Sequence, residues 1–340
     1  MSPTFQRILI SRMKFIGDIV LTTPFIRSVR AACPDAFIAY LGEKNAVTLL
    51  ERNPHLDDVI PFDFSRPTIL EQSRVALQLR RLRFDLAFDL FGNPRTALLT
   101  YLSGAPTRVG QAKKGRGRLY TVQVHDDERR KTAVEFYNQF LRVVGLSPVE
   151  GPTEIVLTAA EREGAWSLLP GVDRDRPLVG IQPGATWPAK KWLPERFGLL
   201  AARMVSELGV QVVVTAGPRD ADAVLTMRAA MPSPPMIVRD LPLRQLAAVC
   251  AQCRVFVSND AGPMHIAAAV GTPTIGIFGP GEEDIWFPYD QSLGHRALRK
   301  DVPCHPCHLD VCNRTGDGYM ECMTLLAVDD VLAAVASSLR

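Results

Sequence analysis

Residues 255–270 read VFVSNDAGPMHIAAAV: a short β-branched and aromatic run is set against an Ala-rich helical run, with Asp260-Ala261-Gly262-Pro263 at the junction. A strand that passes into a helix through so tight a turn is a unit of a parallel sheet, and open α/β sheets bind ligands at the carboxyl ends of their strands. Gly262 permits close backbone approach, and Pro263 suits the first helical position, where no amide is needed. The amides that follow, through Met264 and His265, form an anion site reinforced by the helix dipole, which a phosphate group would fit. The plainer alternative makes Asp260 an ordinary helix cap and His265 a satisfied core residue. A second turn, Phe278-Gly279-Pro280-Gly281, ends the next strand, and two adjacent glycine turns can hold a diphosphate between them.

Working outward, the same alternation fills the chain. In the first half, β-rich runs at 8–11, 37–41, 59–62, 86–89 and 108–109 are separated by helix-like segments at 20–32, 46–51, 69–83 and 96–102, with another at 132–144. Pro148, Gly151, Pro152, Pro170 and Gly171 mark a connector, after which strands at 178–182, 210–216, 255–258 and 274–278 alternate with helices at 194–208, 221–230, 243–251 and 263–270. The expectation is an α/β chain of two Rossmann-like parallel-sheet domains, 1–170 and 171–325, followed by a C-terminal helix within 326–340.

Length and composition agree with two globular domains: 340 residues, 47% hydrophobic and 22% charged, against roughly 100 to 200 residues per domain. The most apolar stretch, 266–278, is interrupted by Gly271, Pro273 and Gly276, and residues 1–9 lack the apolar centre of a signal peptide. A cytoplasmic protein is expected, with seven reduced cysteines rather than a disulfide framework. Net charge is +3, but residues 1–150 hold 22 basic and 15 acidic side chains and the remainder 17 and 21. The basic first half includes Lys113, Lys114, Arg116 and Arg118, either a solvated loop or a surface for an anionic partner such as phosphate or a charged membrane. Aromatic interleaving and a recognised module are both missing, which argues against nucleic acid.

Three further segments carry candidate chemistry. Gln182-Pro183-Gly184-Ala185-Thr186 with Lys190-Lys191-Trp192 follows the first strand of the second domain, where a lysine could stabilise charge on a departing phosphate. Asp18, in Arg12-Met13-Lys14-Phe15-Ile16-Gly17-Asp18, sits where the first strand gives way to a helix and could accept a proton from a hydroxyl nucleophile, or simply cap the helix. Cys304, Cys307, Cys312 and Cys322, with His305 and His308 nearby, are spaced like ligands of a structural zinc or iron; the alternative is a set of reduced thiols.

Together these motifs resemble glycosyltransferase family 9, the ADP-heptose:lipopolysaccharide heptosyltransferases. The resemblance rests on Gly17-Asp18 with Leu21-Thr22-Thr23-Pro24, on Pro183-Gly184-Ala185 with Lys190-Lys191-Trp192, and on Asp260 to His265 with Gly271-Thr272-Pro273 and Phe278-Gly279-Pro280. It implies a GT-B fold, with acceptor bound by the first domain, nucleotide sugar by the second, and the final helix crossing back onto the first. It also implies inverting, metal-independent transfer of L-glycero-D-manno-heptose from ADP-heptose to the inner core of lipopolysaccharide, of the heptosyltransferase II or III type, at the cytoplasmic face of the inner membrane. In that scheme Asp18 is the general base and Lys190, with Lys191 as the neighbouring choice, stabilises the leaving diphosphate. Thr186, Asp260, Gly262, Pro263, Met264, His265 and Gly279 bind donor, Asp220 or Asp222 contacts the nucleoside, and Lys113, Lys114, Arg116 and Arg118 meet the phosphorylated acceptor. Acceptor specificity is expected in loops 93–95 and 110–120. Similar cysteine loops recur in some members of the family. The competing readings are another GT-B enzyme with a different nucleotide sugar, and a nucleotide-sugar binding protein without turnover.

Overall fold

The computed structural model describes residues 5–113 and 115–339; Lys114, one of the expected acceptor contacts, lies outside the described residues. The chain divides into two compact units, residues 1–156 and 157–340. Residues 157–170, which composition groups with the first domain, therefore belong with the second, because α6 (Ala159–Gly164) packs against α9 (Leu243–Cys250) and Arg244 closes on Glu161 at 2.5 Å.

In the first unit, β1 (Arg7–Ser11), β2 (Phe37–Glu43), β3 (Asp58–Phe62), β4 (Leu86–Asp89), β5 (Thr107–Gln111) and β6 (Val122–Val124) form a sheet in the order β3-β2-β1-β4-β5-β6, every pairing parallel. Ile8, Leu9 and Ile10 of the central strand are fully buried, as a strand covered on both faces must be. The expected helix 20–32 is two, α1 (Ile16–Leu21) and α2 (Thr23–Ala32). Thr22 and Thr23 turn their hydroxyls back onto the Ile19 and Val20 carbonyls at 2.7 and 2.8 Å, and Pro24 contributes no amide to continue the ladder. Segment 46–51 is a short 3-10 turn, Ala46–Leu50. The remaining helices are α3 (Thr68–Leu82), α4 (Pro94–Leu102) and α5 (Ala133–Arg142).

The second unit repeats the plan. Strands β7 (Leu178–Gln182), β8 (Gln211–Ala216), β9 (Met236–Arg239), β10 (Val255–Asn259), β11 (Thr274–Ile277) and β12 (Arg296–Leu298) lie parallel in the order β12-β11-β10-β7-β8-β9. Helices α7 (Pro194–Leu208), α8 (Ala221–Ala229) and α10 (Gly262–Ala269) make the crossovers, with short turns α11 (Glu283–Trp286) and α12 (Glu321–Thr324) beyond β11. The last helix, α13 (Val328–Ser338), expected on the first domain, seats Val331, Leu332, Ala334 and Val335 in the second unit's core beside Trp192 and Phe197. Trp192 is fully buried, and its indole N–H donates to the Leu326 carbonyl at 3.0 Å. Among the described residues no helix is long and apolar enough to cross a membrane.

Candidate active site

The order reversal in each sheet falls beside its central strand, so the loops after β1 and β4, and after β7 and β10, emerge at the carboxyl edge where such sheets take ligands. The two units supply two separate clusters there.

In the first unit, Asp18 occupies the first turn of α1 and is buried. Its Oδ2 accepts the Phe15 amide at 2.9 Å, Oδ1 is ion-paired to Arg12, and the Tyr137 hydroxyl stands 3.4 Å from Oδ1. Arg12 leaves the end of β1, donates to the Leu90 carbonyl at 3.3 Å, and stacks over the Phe91 and Tyr137 rings at 4.6 and 5.9 Å. Burial works against its charge, but Tyr137 and Asp18 more than offset that, and the Arg12 pKa rises above its ordinary value. Its Nε is buried without a partner. Burial also pushes the Tyr137 hydroxyl up, with Arg12 opposing. Neither Arg12 nor Tyr137 was singled out by sequence reasoning; Arg12 lies in the quoted segment, but only the fold shows that it turns back onto Asp18.

Asp89, at the end of β4, is the other residue the sequence did not single out. It is fully buried, which raises its pKa, and its oxygens accept the Gly92 amide at 2.9 Å and the Phe91 amide at 3.1 Å. The Tyr120 hydroxyl donates to its second oxygen at 2.6 Å. One carboxyl group thus ties the backbone at 91–92, just before loop 93–95, to Tyr120 at the end of loop 110–120, the two loops expected to read the acceptor. Lys113 and Arg118 are exposed on the second of them, while Arg116 is half-buried with its Nε unpartnered.

In the second unit, Asp260 and Lys190 meet. Lys190 Nζ lies 2.5 Å from Asp260 Oδ2 as an ion pair and 4.7 Å over the Trp187 ring, and among the described residues no donor is aligned for a hydrogen bond to Oδ2. A Cβ at Gly281 would stand 2.8 Å from Asp260 Oδ2 and 3.8 Å from Lys190 Nζ, so the glycine keeps a small opening beside the pair. Lys191 instead closes its turn through its own N–H on the Pro188 carbonyl at 3.1 Å. Asn259, which precedes the motif aspartate, accepts the Trp192 amide at 2.9 Å and donates to the Pro183 carbonyl at 2.8 Å, locking the 183–192 loop to the end of β10.

Asp220 is part of the same framework. Its Oδ2 accepts Gln182 Nε2 at 2.7 Å and the Gly217 amide at 2.8 Å, and its side chain fills the space where Gly184 would carry a Cβ. Asp222 is exposed on α8, and Thr186 is exposed within 3.4 Å of Arg219 Nη2. Gly262 and Pro263 open α10 and are partly exposed, whereas the Met264 side chain is fully buried with Phe278 and Phe287, leaving only its backbone to a ligand. His265 is buried, and its Nδ1 lies 2.6 Å from the Tyr289 hydroxyl. Gly279 packs tightly on Met323 and the Ala189 carbonyl.

The cysteine loop does not assemble as expected. Among the described residues no three His, Cys, Asp or Glu side chains converge to hold a metal ion, so Cys304, Cys307, Cys312 and Cys322 form no ligand set. The thiols are free; burial pushes Cys322 up to about 11, with Cys304, Cys307 and Cys312 adding to it. Other partners occupy the donors: Arg314 Nη1 donates to Cys304 Sγ at 3.5 Å, His305 Nε2 lies 2.9 Å from the Gly281 carbonyl, and His308 faces Glu282 at 3.3 Å.

The profile of glycosyltransferase family 9 (heptosyltransferase) matches residues 73–315. The chain is 28% identical over 347 residues to lipopolysaccharide heptosyltransferase 2 of Escherichia coli K12, spanning 96% of this chain and 99% of that one. It is 25% identical over 292 residues to an Escherichia coli lipopolysaccharide heptosyltransferase 3, spanning 83% and 86%. Among solved structures, a family 9 glycosyl transferase from Veillonella parvula superposes with a TM-score of 0.87 at 24% identity, covering 100% of this chain and 98% of that one. E. coli ADP-heptose lps heptosyltransferase II superposes at 0.80, with 24% identity and 98% of each chain covered. The fold is that of these GT-B enzymes, and with the profile matching well over half its length the chain belongs to glycosyltransferase family 9 and is a glycosyltransferase.

Proposed function

We propose that this enzyme transfers L-glycero-D-manno-heptose from ADP-heptose to the inner core of lipopolysaccharide, as a heptosyltransferase of type II or III. The observation that carries the reading is the Lys190–Asp260 pair beside Gly281, at the carboxyl edge of the second sheet and next to the start of α10. The relatives named as lipopolysaccharide heptosyltransferases align along 96% and 83% of the chain, which supports the acceptor class.

In this reading the second unit binds donor. The diphosphate sits against the first turn of α10, Gly262 to His265, and draws the Lys190 ammonium away from Asp260, which then hydrogen-bonds heptose hydroxyls. Asp220 acts on the nucleoside side by holding the 183–186 loop in shape. In the first unit Asp18 takes the proton of the acceptor hydroxyl as that oxygen attacks the anomeric carbon in line. The bond to the ADP oxygen breaks, configuration inverts, and the charge on the leaving diphosphate is met by Lys190 and the α10 dipole, with no metal needed for the step. Lys113, Lys114, Arg116 and Arg118 meet acceptor phosphates, and the enzyme works at the cytoplasmic face of the inner membrane.

Calorimetric titration with ADP, UDP and GDP in the presence of chelator tests the donor, followed by transfer assays on truncated lipopolysaccharide. Selective ADP binding with heptose incorporation is expected. Preference for UDP or GDP would keep the fold and discard heptose, and ADP binding without transfer would leave a binding protein.

A further inference from the structure

Helices α3 and α4 pack side by side on one face of the first sheet, their inner residues Val75, Leu79 and Leu99 sharing a core with Leu9, Leu41 and Phe62. Their outer faces are unusual for a water-facing surface. On α3, Ile69 is 79% exposed, Leu70 67% and Leu77 60%, with Arg80 and Arg81 exposed among them. On α4, Leu98, Tyr101 and Leu102 are exposed at i, i+3 and i+4, one stripe of the helix. At 100° per residue, Leu70, Leu77 and Arg81 project along one line of α3, with Ile69 and Arg80 together on one side of it, roughly a quarter-turn away. Arg80 lies over Gly104, just past α4, and the Arg108 guanidinium sits 5.5 Å over the Tyr101 ring, so arginines border the apolar residues of both helices.

Carboxylates are excluded from this face. The two helices contain a single acidic residue, Glu71, and it is turned inward, buried and paired with Arg74 at 2.5 Å. Solvated helices mix charges of both signs; a face of leucine, isoleucine, tyrosine and arginine without acid is the composition of a helix surface lying in an anionic interface, where apolar side chains enter the acyl boundary and guanidinium groups meet phosphates. We infer that the outer face of α3 and α4 docks on a bilayer containing anionic lipid. This deepens the proposed function, on whose membrane-borne acceptor its purpose rests: docking would bring the first unit, with Asp18, to the surface where that acceptor is held.

The test is co-sedimentation of the full chain with vesicles of phosphatidylcholine alone and of phosphatidylcholine mixed with phosphatidylglycerol. Binding to the mixed vesicles is expected, weakened by salt. It should fall roughly fivefold for each arginine lost in Arg80→Gln and Arg81→Gln, and further in a Leu70→Ser/Leu77→Ser double variant. These side chains are exposed, so thermal unfolding and turnover on a soluble truncated acceptor should stay at wild-type values. Equal sedimentation with both vesicle types, none with either, or variants that bind like wild type would overturn the inference. So would a wild-type dimer in light scattering that the leucine variants convert to monomer, which would make the face a protein interface. Loss of the ADP-heptose assignment with vesicle binding intact would overturn the function and leave the docking face standing.

Discussion

Each candidate cluster sets a buried carboxylate against a cation, and the two pairs are built differently. Asp18 is fixed from three sides, by Arg12, the Phe15 amide and the Tyr137 hydroxyl, and Arg12 is itself pinned by the Leu90 carbonyl and the Phe91 ring. Asp260 has a single ammonium, on a lysine side chain 20% exposed, beside a glycine. A planar guanidinium with several anchored donors orients its partner, whereas a compact ammonium on a flexible stem can move to another anion. The first arrangement suits a base that must present one oxygen to one hydroxyl; the second suits a cation that waits on a carboxylate until a diphosphate arrives.

The sharpest break would come at Asp18. Asp18→Asn keeps the shape but removes the base and turns one accepting oxygen into a donor, so kcat should fall by roughly 10^2 to 10^4 while calorimetric ADP binding stays unchanged. Transfer within tenfold of wild type would reduce Asp18 to a helix cap. Next in size, Lys190→Ala should lower kcat by about 10^2 to 10^3, with Lys191→Ala costing less than about tenfold, because only the former ammonium stands at Asp260. Equal losses from the two lysines would dissolve the contrast drawn above.

Stability should separate the pairs in the same order. Arg12→Ala leaves Asp18 buried and uncompensated and should cost about 3 kcal/mol in denaturant unfolding. Lys190→Ala opens Asp260 to solvent and should cost about 1 kcal/mol. If the lysine variant proves the less stable, Lys190 is a structural pin rather than a movable charge.

What the sequence disclosed and what it withheld follow from the range of each signal. The central strands were legible because a parallel strand is apolar on both faces, and Asp260-Ala261-Gly262-Pro263 marked its turn through residues adjacent in the chain. Edge strands β6, β9 and β12 were not, being three or four residues long and only partly buried. Asp18 and Asp260 could be named from local motifs, but contacts made across the chain could not: Tyr137 reaches Asp18 across 119 positions, and Asn259 reaches Pro183 across 76. The cysteine spacing is silent for the same reason, since it cannot show that Arg314 donates to Cys304 or that His305 meets the Gly281 carbonyl.

A third ion pair sets the scale for the other two. Glu161 accepts two hydrogen bonds from Arg244, at 2.5 and 2.8 Å, and these bonds hold its carboxyl at about 2, against an ordinary 4.5. A depressed carboxylate contributes stability that is present above its ordinary value and lost as pH falls through the folded value, so the window here runs from about 4.5 down to about 2. The glutamate is 29% exposed, and screening limits the contribution to about 1 kcal/mol, less than the shift alone would suggest. Glu161→Gln should therefore be about 1 kcal/mol less stable than wild type in urea at neutral pH, with the difference shrinking toward zero near pH 2. A gap that ignores pH would mean the side chain acts through packing. Because Glu161 lies on α6 and Arg244 on α9, the same variant should loosen residues 157–170 in amide exchange before it affects the first unit's sheet, which is the result required if the connector folds with the second unit.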